Sequence, residues 1–370
     1  MRILVTGGCG FIGSHLVDRL VTQGYKVRVY DLLEPQVHQG KKPEYLNNNA
    51  EYIFSDLRDR DTLKKALRNV EIIFHLASQV GVGQSMYQIE KYTSHNLTGT
   101  AVLLDLLVNT KNKVKKLIVA SSMSIYGEGA YKCKNCGVVY PLERSLKQLR
   151  KRDWEVYCPE CKKRVKPIPT PEDKPLYPSS IYASNKRVQE EMCMIVGKAY
   201  KLPTVALRYF NVYGPRQSLS NPYTGVGAIF LARVKNNKPP LVFEDGRQSR
   251  DFIYIDDLIT ANILAMEKKE ADYQIFNVGS GQPIRIIEIA YTIISLLGTD
   301  VGVNVLNKYR IGDIRHCYAD ISKIKSTLGF KPRVKFGEGM RRLISWAESR
   351  RALGLTDKAQ RELEKRHLTT

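Results

Sequence analysis

Short apolar runs alternate with amphipathic segments through the first half of the chain. The run at 1–5 is followed by a glycine-rich turn and by a periodic segment at 14–21, so the pattern predicts a strand and then a helix. Residues 96–108 carry apolar side chains at helical spacing and predict another helix. Further apolar runs of strand length lie at 27–31, 53–54, 72–77, 117–122 and 274–278. This alternation predicts an α/β fold with a doubly wound parallel sheet, whose functional residues follow the carboxyl ends of the strands.

The segment 129–175 interrupts this alternation. It combines several prolines, many charged residues and four cysteines with little apolar periodicity, which predicts an inserted module. The sheet domain is therefore expected to comprise 1–128 and 176–211. A smaller α/β lobe is expected over 212–348, with one strand and one helix returning to the sheet, and a polar helix or tail is expected over 349–370.

Composition narrows the classes of function. The 370 residues are 43% hydrophobic, which suffices for a buried core, but no apolar run approaches the roughly 20 residues that a membrane span needs. Because the first apolar run has strand length and leads into the glycine turn, we expect no signal peptide and a cytoplasmic location. The net charge of +21 is spread along the chain, which favours anionic substrates, although the basic segment 144–166 leaves nucleic-acid binding open.

The glycine-rich turn after the first strand is suited to a nucleotide. Gly7 can take the positive φ of a tight turn, Gly10 lets the backbone approach a diphosphate, and Gly13 lets the helix pack close to the strand. The diphosphate would lie at the helix N-terminus, where N–H groups are free. Asp31 ends the second strand, and its carboxylate would bind a ribose 2′-OH and repel a 2′-phosphate. The sequence therefore predicts a Rossmann domain that binds NAD rather than NADP.

Tyr182 and Lys186 are spaced for one face of a helix, since they stand four residues apart. A tyrosine with a pKa near 10 is a poor base at neutral pH. A lysine cation and a positive nicotinamide ring beside it would stabilise the phenolate and lower that pKa. The alternative is a core tyrosine beside a lysine whose ammonium reaches solvent. The position of the pair after a nucleotide-binding turn favours catalysis.

Four cysteines within 129–175 have metal-ligand spacing. They form two pairs, each with two residues between its members: Cys133, Cys136, Cys158 and Cys161. This arrangement predicts a structural zinc ribbon, and disulfides would be unusual in a cytoplasm. Four thiolates leave no open coordination position, so the predicted zinc is structural and not catalytic.

Together these motifs resemble the extended short-chain dehydrogenase/reductase superfamily, and within it the sugar-nucleotide epimerases. The resemblance covers nearly the whole chain outside 129–175. It rests on the segments 6–13, 56–59, 75–77, 182–186, 208–215, 249–257, 277–279 and 310–316.

The resemblance implies a catalytic set of Ser122, Tyr182 and Lys186. Tyr182 would take the proton from a sugar hydroxyl, Ser122 would hydrogen-bond the same oxygen, and Lys186 would hold the nicotinamide ribose. Hydride would pass to NAD and return to the other face of the keto sugar. Related dehydratases carry an Asp-Glu pair where this chain has Met123 and Ser124, and related decarboxylases carry Glu at the second position. The resemblance therefore implies epimerisation.

Ligand contacts follow from the same resemblance. The implied cofactor contacts are Gly7, Gly10, Phe11, Ile12, Gly13, Asp31, Asp56, Leu57, Leu76, Ala77, Asn96, Tyr182, Lys186 and Tyr209. The implied substrate contacts are Ser85, Ser124, Asn211, Arg250, Arg310 and Asp313, with Arg315 as a weaker candidate. Arg250 and Arg310 would bind the diphosphate, since guanidinium groups match its oxygens, and a surface or lobe-to-lobe ion pair is the alternative for each.

The cysteine insertion resembles a narrower group of the family, the dTDP-L-rhamnose 4-epimerases, whose product is dTDP-6-deoxy-L-talose. The segments 80–87, 127–131, 218–225 and 243–250 share that resemblance. The alternatives are a UDP-glucose/UDP-galactose 4-epimerase and a nucleotide-sugar reductase or dehydrogenase. A more remote one is a nucleic-acid-binding protein that uses the basic ribbon, which has few aromatic side chains to stack on bases.

The family also implies a homodimer, in which the helices that contain Asn96 and Tyr182 pair into a four-helix bundle. Leu97, Ala101 and Leu104 would face the partner in that arrangement, but they would fit equally well against the sheet. We expect the ribbon to form a lid or an edge near the sugar, because it joins the Ser122 loop to the Tyr182 helix.

Overall fold

The computed structural model of the protein describes residues 1–350, 352 and 354–369. The strands are β1 (Arg2–Thr6), β2 (Lys26–Asp31), β3 (Glu51–Phe54), β4 (Ile72–His75), β5 (Lys116–Ser122), β6 (Ala130–Cys133), β7 (Gly137–Val139), β8 (Lys166–Ile168), β9 (Thr204–Tyr209), β10 (Asn211–Tyr213), β11 (Leu241–Val242), β12 (Ser249–Tyr254), β13 (Ile275–Val278), β14 (Pro283–Arg285), β15 (Asn304–Val305) and β16 (His316–Cys317).

The helices, many of them short, connect these strands or follow them. They are α1 (Phe11–Thr22), α2 (Pro35–His38), α3 (Arg60–Ala66), α4 (Val82–Ser85), α5 (Ile89–Thr93), α6 (Gly99–Asn109), α7 (Leu146–Arg150), α8 (Ile181–Ala199), α9 (Val226–Lys235), α10 (Ile255–Glu267), α11 (Ile286–Leu297), α12 (Ser322–Leu328), α13 (Phe336–Glu348) and α14 (Thr356–Lys365). No described helix is long and apolar enough to cross a membrane.

Seven parallel strands form the central sheet in the order β3-β2-β1-β4-β5-β9-β13, which confirms the predicted fold class. Successive side chains of a strand point to opposite faces, so both faces need cover. Ile3 of β1 belongs to one buried apolar cluster with Leu16 of α1, whereas Leu4 belongs to a second cluster with Leu63 of α3 and Leu103 of α6. The strand order reverses between β1 and β4, and a ligand crevice is expected at that reversal.

The helix predicted over 96–108 is present, but it begins differently. A π-helical turn, Ser94–Thr98, precedes α6. This turn contains Asn96, which is fully buried and exchanges two hydrogen bonds with the backbone of Gln79. Leu104 lies in the core of the sheet domain, so it faces the sheet rather than solvent.

Segments outside the central sheet form smaller sheets. Within 129–175, β6 pairs antiparallel with β7 and β8 around a small apolar core of its own. In the second half of the chain, β12 pairs with β10, β14 and β16. From this half, β13 lies at the edge of the central sheet beside β9, and α10 packs against α1. The module and lobe boundaries themselves stay predictions.

Candidate active site

The turn between β1 and α1 has the geometry of a diphosphate cradle. Gly7 has a φ of +71°, and a Cβ on Gly13 would lie 2.2 Å from the Gly7 carbonyl oxygen, so both positions need glycine. Gly10 is the N-cap of α1 and provides no side-chain cap for the first N–H groups, which belong to Phe11, Ile12 and Gly13. A Cβ at Gly10 would meet nothing closer than 3.4 Å, so this side of the turn is open. Uncapped N–H groups beside open space fit the diphosphate of NAD.

Asp31 lies beside this turn at the end of β2. Its Oδ2 accepts the Cys9 N–H at 2.9 Å, and its Oδ1 accepts the Leu33 N–H at 2.8 Å. The carboxylate is buried and is anchored by these two backbone donors. It lies at the position where a ribose 2′-OH is expected, which suits NAD.

The other predicted cofactor residues lie in several places around the sheet. The backbone N–H groups of Leu76 and Ala77 donate to Thr6, and Ala77 lies against Gly7, so both residues border the glycine turn. Asp56 forms an ion pair with Arg58 at 2.6 Å, farther towards the edge of the sheet. The remaining two, Leu57 and Tyr209, lie against Gly99 and the Asn262 side chain respectively.

A cavity of about 450 Å³ lies between the central sheet and the second half of the chain. Ser122, at the end of β5, and Tyr182, in the first turn of α8, both line it. The Ser180 side chain caps α8 by accepting the Ala183 N–H, which fixes the start of the helix one residue before Tyr182. The structure thus brings together two of the predicted catalytic side chains, which are 60 positions apart in sequence.

Burial raises the pKa of the Tyr182 phenol, and the hydrogen bond from Ser122 acts in the opposite direction. The helix N-terminus beside Tyr182 also favours a phenolate. The expected effect of Lys186 on the same pKa stays a prediction. In the structure the Lys186 ammonium is directed to another partner.

That partner is Gln189, whose Oε1 accepts a hydrogen bond from Lys186 Nζ at 2.5 Å. The Gln189 amide contacts His75 Nε2 at 3.0 Å and Thr100 Oγ1 at 2.8 Å, and His75 Nδ1 is 2.9 Å from Thr6 Oγ1. Burial lowers the pKa of Lys186 to about 8, and burial together with the Lys186 charge lowers that of His75 to about 3. A buried polar network therefore connects the catalytic helix to the end of β1. The sequence marked His75 as part of a motif but gave no sign of Gln189.

Ser85 lies behind Tyr182 rather than on the cavity surface. Its Oγ accepts the Tyr182 backbone N–H at 3.0 Å and donates to the Val82 carbonyl at 2.6 Å, and the residue is fully buried. The predicted contact of Ser85 with the sugar stays a prediction, whereas its support of Tyr182 is present. Ser124, in contrast, lines the cavity and donates a hydrogen bond to Ser122 at 2.9 Å.

The predicted diphosphate residues also line the cavity. Arg250 Nη2 lies 3.1 Å from one carboxylate oxygen of Asp313, and Arg310 Nη2 lies 2.7 Å from the other. Burial raises the pKa of the Asp313 carboxyl, but the two guanidinium groups outweigh burial and hold the pKa below its usual value. Asn211 lines the same cavity, and its buried Oδ1 has no hydrogen-bond partner among the described residues. Two arginines that share one carboxylate leave net positive charge for an anionic ligand.

Known proteins match this chain over most of its length. A family model described as NAD dependent epimerase/dehydratase family matches residues 3–144 and 155–279. The chain belongs to this family. A relative from Burkholderia thailandensis named dTDP-L-rhamnose 4-epimerase is 34% identical over 352 residues, covering 93% of this chain and 94% of its own.

Solved structures agree with this assignment. A UDP-glucose 4-epimerase from Thermotoga maritima, determined with UDP-glucose, is 33% identical with a TM-score of 0.77, and the match covers 94% of this chain and 98% of that one. A UDP-glucuronic acid 4-epimerase from Bacillus cereus, determined with UDP-glucuronic acid and NAD, is 28% identical with the same TM-score and the same coverage. The protein is therefore an enzyme of the NAD-dependent epimerase/dehydratase family with a Rossmann sheet.

The C-terminal segment of this epimerase-family enzyme also borders the cavity, which the sequence did not suggest. Side chains of α14 and the residues after it contribute to the lining: Thr356, Ala359, Gln360, Leu363 and Leu368. The Ile311 N–H donates to the Leu368 carbonyl at 3.0 Å, so the segment lies directly beside Arg310. The sequence feature that could have indicated this position is the apolar pair Ala359 and Leu363, which stand at helical spacing within an otherwise charged stretch.

The four cysteines of the insertion converge at one point. Their Sγ atoms all lie within 4.8 Å of one another, and the Cys133 and Cys161 sulfurs are 3.4 Å apart. A tetrahedral zinc with bonds of about 2.3 Å would place its sulfurs roughly 3.8 Å apart. The cluster therefore fits a four-thiolate metal.

Proposed function

We propose that the protein is an NAD-dependent nucleotide-sugar 4-epimerase and that its substrate is dTDP-L-rhamnose, which it converts to dTDP-6-deoxy-L-talose. The observation that carries the proposal is that Ser122 and Tyr182 line the same cavity as Arg250 and Arg310. The cavity thus holds both a proton acceptor and an anion site, so it suits a sugar attached to a diphosphate.

The roles of the side chains follow from this geometry. Tyr182 accepts the proton of the sugar 4-hydroxyl as a phenolate, and Ser122 stabilises that phenolate by donating a hydrogen bond. Lys186 is buried on the same helix, where its ammonium would hold the cofactor ribose instead of its present partner Gln189. NAD, when bound, supplies the reversible hydride transfer at the sugar C4. Tyr182 then returns the proton after the sugar has presented its other face.

Elimination and decarboxylation are less well supported. Among the cavity-lining residues in the described part of the chain, the only carboxylate is Asp313, and both of its oxygens are occupied by arginines. Loss of water from a sugar requires a general acid at the reacting carbon. In the loop where related dehydratases carry a carboxylic acid, this chain has Ser124. A serine hydroxyl is too weak an acid to take over that role.

The choice of dTDP-L-rhamnose is supported by the 34% identical relative of that name and by an apolar patch in the cavity wall. Val80, Val82 and Met86 line the cavity on the side of the turn after β4. A 6-deoxy sugar presents a methyl group where UDP-glucose presents a hydroxyl and UDP-glucuronate a carboxylate. Burying a methyl against apolar side chains is favourable, whereas burying an unpaired carboxylate there is costly.

We further propose that Cys133, Cys136, Cys158 and Cys161 hold one structural zinc ion. The support is the convergence of their sulfur atoms and the spacing of the two pairs. The homodimer and the cytoplasmic location stay predictions. Ile195 on α8 is 65% exposed, so it offers an apolar surface of the kind that a helix-paired dimer would cover.

Turnover of defined nucleotide sugars tests the function. The purified protein is incubated separately with dTDP-L-rhamnose, UDP-galactose and UDP-glucuronate without added NAD, and the C4 epimer is detected by NMR. We expect conversion of the rhamnose nucleotide alone. Conversion of a UDP-sugar instead would keep the mechanism and overturn the substrate, and stoichiometric formation of NADH would indicate a dehydrogenase.

The Tyr182→Phe variant tests the mechanism on whichever substrate is converted. It should lose turnover by at least about 100-fold with an unchanged fold, since proton transfer by a positioned side chain contributes roughly that much or more. Tyr200→Phe is the matched control, because Tyr200 follows the same helix and is exposed. Wild-type turnover by Tyr182→Phe would overturn the assignment.

A further inference from the structure

The cysteine module, residues 129–175, does not line the cavity. All of its residues are described, and none of them is among the lining side chains. The module therefore does not form the lid or edge near the sugar that was expected from the sequence. Its contacts lead instead to the segment 310–316, which carries Arg310 and Asp313.

Arg144 is the first of these contacts. Its guanidinium is almost fully buried between the module and the second half of the chain, where Nη2 lies 2.8 Å from Glu244 and donates to the Asp313 carbonyl at 2.9 Å. Within the module, Nη1 donates to the Trp154 carbonyl at 3.0 Å. Asp313 is the residue whose carboxylate separates Arg250 from Arg310. Arg144 thus ties the module to the backbone of the residue that orients both arginines.

Arg315 provides the second contact, in which a side chain of the segment 310–316 reaches into the module. Its side chain is 0% exposed, and its two terminal nitrogens contact Glu155 of the module at 2.7 Å and Glu244 at 2.9 Å. Asp245 accepts two further hydrogen bonds from it, at 2.6 and 2.9 Å. A buried guanidinium is tolerated only where its charge and donors are satisfied. The sequence offered Arg315 as a weaker substrate ligand, but its two terminal nitrogens are taken up by these carboxylates.

The backbone of the same segment is also held at the edge of the module. Glu128, the residue immediately before it, accepts the Arg315 N–H at 2.6 Å and the His316 N–H at 3.2 Å. The Tyr131 hydroxyl donates to Glu128 at 2.7 Å, and Tyr131 lies in the same small core as Cys133. The path from the cysteine cluster to this segment is therefore continuous through packed side chains.

We propose that the cysteine module positions the nucleotide end of the active site, with Arg144 and Glu155 as the positioning residues. They fix the segment 310–316 so that Arg250 and Arg310 present their guanidinium groups to the diphosphate of the substrate. This inference rests on the proposed function, which assigns the diphosphate to those two arginines. The module acts on binding of the nucleotide and leaves the chemistry at Tyr182 unchanged.

Binding of a nucleoside diphosphate tests the proposal without turnover. Dissociation constants of dTDP and UDP are measured by calorimetry on the NAD-containing wild type, Arg144→Met and Glu155→Gln. For the nucleotide that the wild type binds, we expect Kd to rise about tenfold or more in both variants. Arg150→Met is the matched control, because Arg150 is an exposed arginine in the same module, and its Kd should stay within about twofold of the wild type.

Kinetics separate positioning from a general loss of structure. In both variants KM for the nucleotide sugar should rise with Kd, while kcat and the NAD content per chain stay near wild type. Arg144→Lys, which keeps the charge, should recover part of the affinity. Glu155 is 34% exposed, so Glu155→Gln provides a folded variant if Arg144→Met fails to fold.

Three results would overturn the proposal. Unchanged Kd in folded Arg144→Met and Glu155→Gln would do so and leave the proposed function intact. Parallel losses of kcat, NAD content and nucleotide affinity would mean that the module stabilises the whole protein and does not specifically position the nucleotide site. A wild-type protein that bound neither dTDP nor UDP would overturn the proposed function, and this inference with it.

Discussion

The Ser124 hydroxyl donates a hydrogen bond to Ser122 Oγ across 2.9 Å. The Ser124 backbone N–H donates to the same oxygen at 3.2 Å. Both acceptor positions of the Ser122 hydroxyl are then occupied. The hydrogen of this hydroxyl is therefore directed to Tyr182, and that contact lowers the pKa of the Tyr182 phenol. The two serines therefore form a directional hydrogen-bond relay that ends on the Tyr182 phenol.

Replacing Ser122 with alanine should change the pH dependence of turnover as well as its rate. The Ser122 hydrogen bond favours the phenolate, so its loss raises the Tyr182 pKa and moves the acid limb of the rate profile to higher pH. At neutral pH we expect kcat to fall on the order of 100-fold, and the deficit should shrink as pH increases. Steady-state rates between pH 6 and about 10 would measure this.

Ser121→Ala is the control for that prediction. Ser121 is the neighbouring buried serine, and its Oγ has no hydrogen-bond partner in the described part of the chain. Its profile should overlay that of the wild type. An equal deficit at every pH in Ser122→Ala would contradict the relay and assign the loss to packing.

The parts of this site that depend on local spacing were predictable from the sequence. The glycine turn lies within one strand-turn-helix unit, and Tyr182 and Lys186 lie within one helical turn, so each pattern was visible in a few adjacent residues. The sheet followed from the alternation of strands and helices, because that alternation has few stable topologies. The convergence of the four cysteines was also predictable from local spacing, because the two members of each pair lie within one tight turn.

Contacts between distant segments were not predictable in this way. Ser85 supports Tyr182 from 97 positions away, and Arg315 meets carboxylates from the module and from the second half of the chain. An arginine is normally exposed, so the sequence alone suggested a ligand contact for Arg315 rather than burial. The role of α14 was hidden because a charged C-terminal stretch is typical of a solvated helix.

Two glycine substitutions should separate cofactor binding from folding. A methyl group at Gly10 has room in the protein, with its nearest neighbour at 3.4 Å, but it would occupy the open side of the diphosphate cradle. Gly10→Ala should therefore keep its thermal midpoint and lose about 90% or more of its bound NAD. At Gly13 the same methyl meets the Gly7 carbonyl at 2.2 Å, so Gly13→Ala should lose roughly 1–3 kcal/mol of unfolding free energy.

The two variants control one another, because the chemical change is identical. NAD content is read from the nucleotide released on denaturation, and stability from thermal and denaturant unfolding. Full NAD content in Gly10→Ala would mean that the cofactor diphosphate does not approach this turn.

The cysteine cluster should bind one zinc ion per chain when the protein is purified from zinc-supplied cells. Cys133→Ser removes one of four converging ligands and should reduce the metal content several-fold, since structural sites require all four thiolates. Elemental analysis by mass spectrometry gives the stoichiometry. Cys193→Ser is the control, because Cys193 is buried in the core of the sheet domain and should leave the zinc content unchanged. Equal metal in both variants would argue against the cluster as the ligand set.

Glu155 should make the stability of the protein depend on acid pH. Contacts with His316 and Arg315 together lower the pKa of its carboxyl to about 2, against the raising effect of burial. A depressed carboxyl pKa contributes stability that is fully present above the unfolded pKa of 4.5 and is lost as pH falls towards 2. The contribution should be on the order of 1 kcal/mol, because solvent screens a partly exposed group.

Denaturant unfolding of the wild type and Glu155→Gln at several pH values measures that contribution. The difference in unfolding free energy should be constant from neutral pH to about 5 and should then shrink as pH falls. Glu143→Gln is the comparison, because burial shifts the Glu143 pKa upwards instead. A difference between the wild type and Glu155→Gln that did not change with pH would contradict the linkage.

The C-terminal segment should contribute to substrate affinity through Leu363. This side chain lines the cavity and lies close to Gly83, since a Cβ added to Gly83 would be 3.3 Å from it. Farther along the segment, the Leu368 carbonyl accepts the N–H of Ile311, the residue next to Arg310. Leu363→Ala removes apolar surface from the cavity wall and should raise KM by roughly tenfold with little change in kcat. Leu355→Ala is the matched control, because Leu355 precedes the same helix, is exposed and does not line the cavity. Unchanged KM in Leu363→Ala would mean that α14 covers the cavity without contacting the substrate, and an equal rise in both variants would point to a general loosening of the helix.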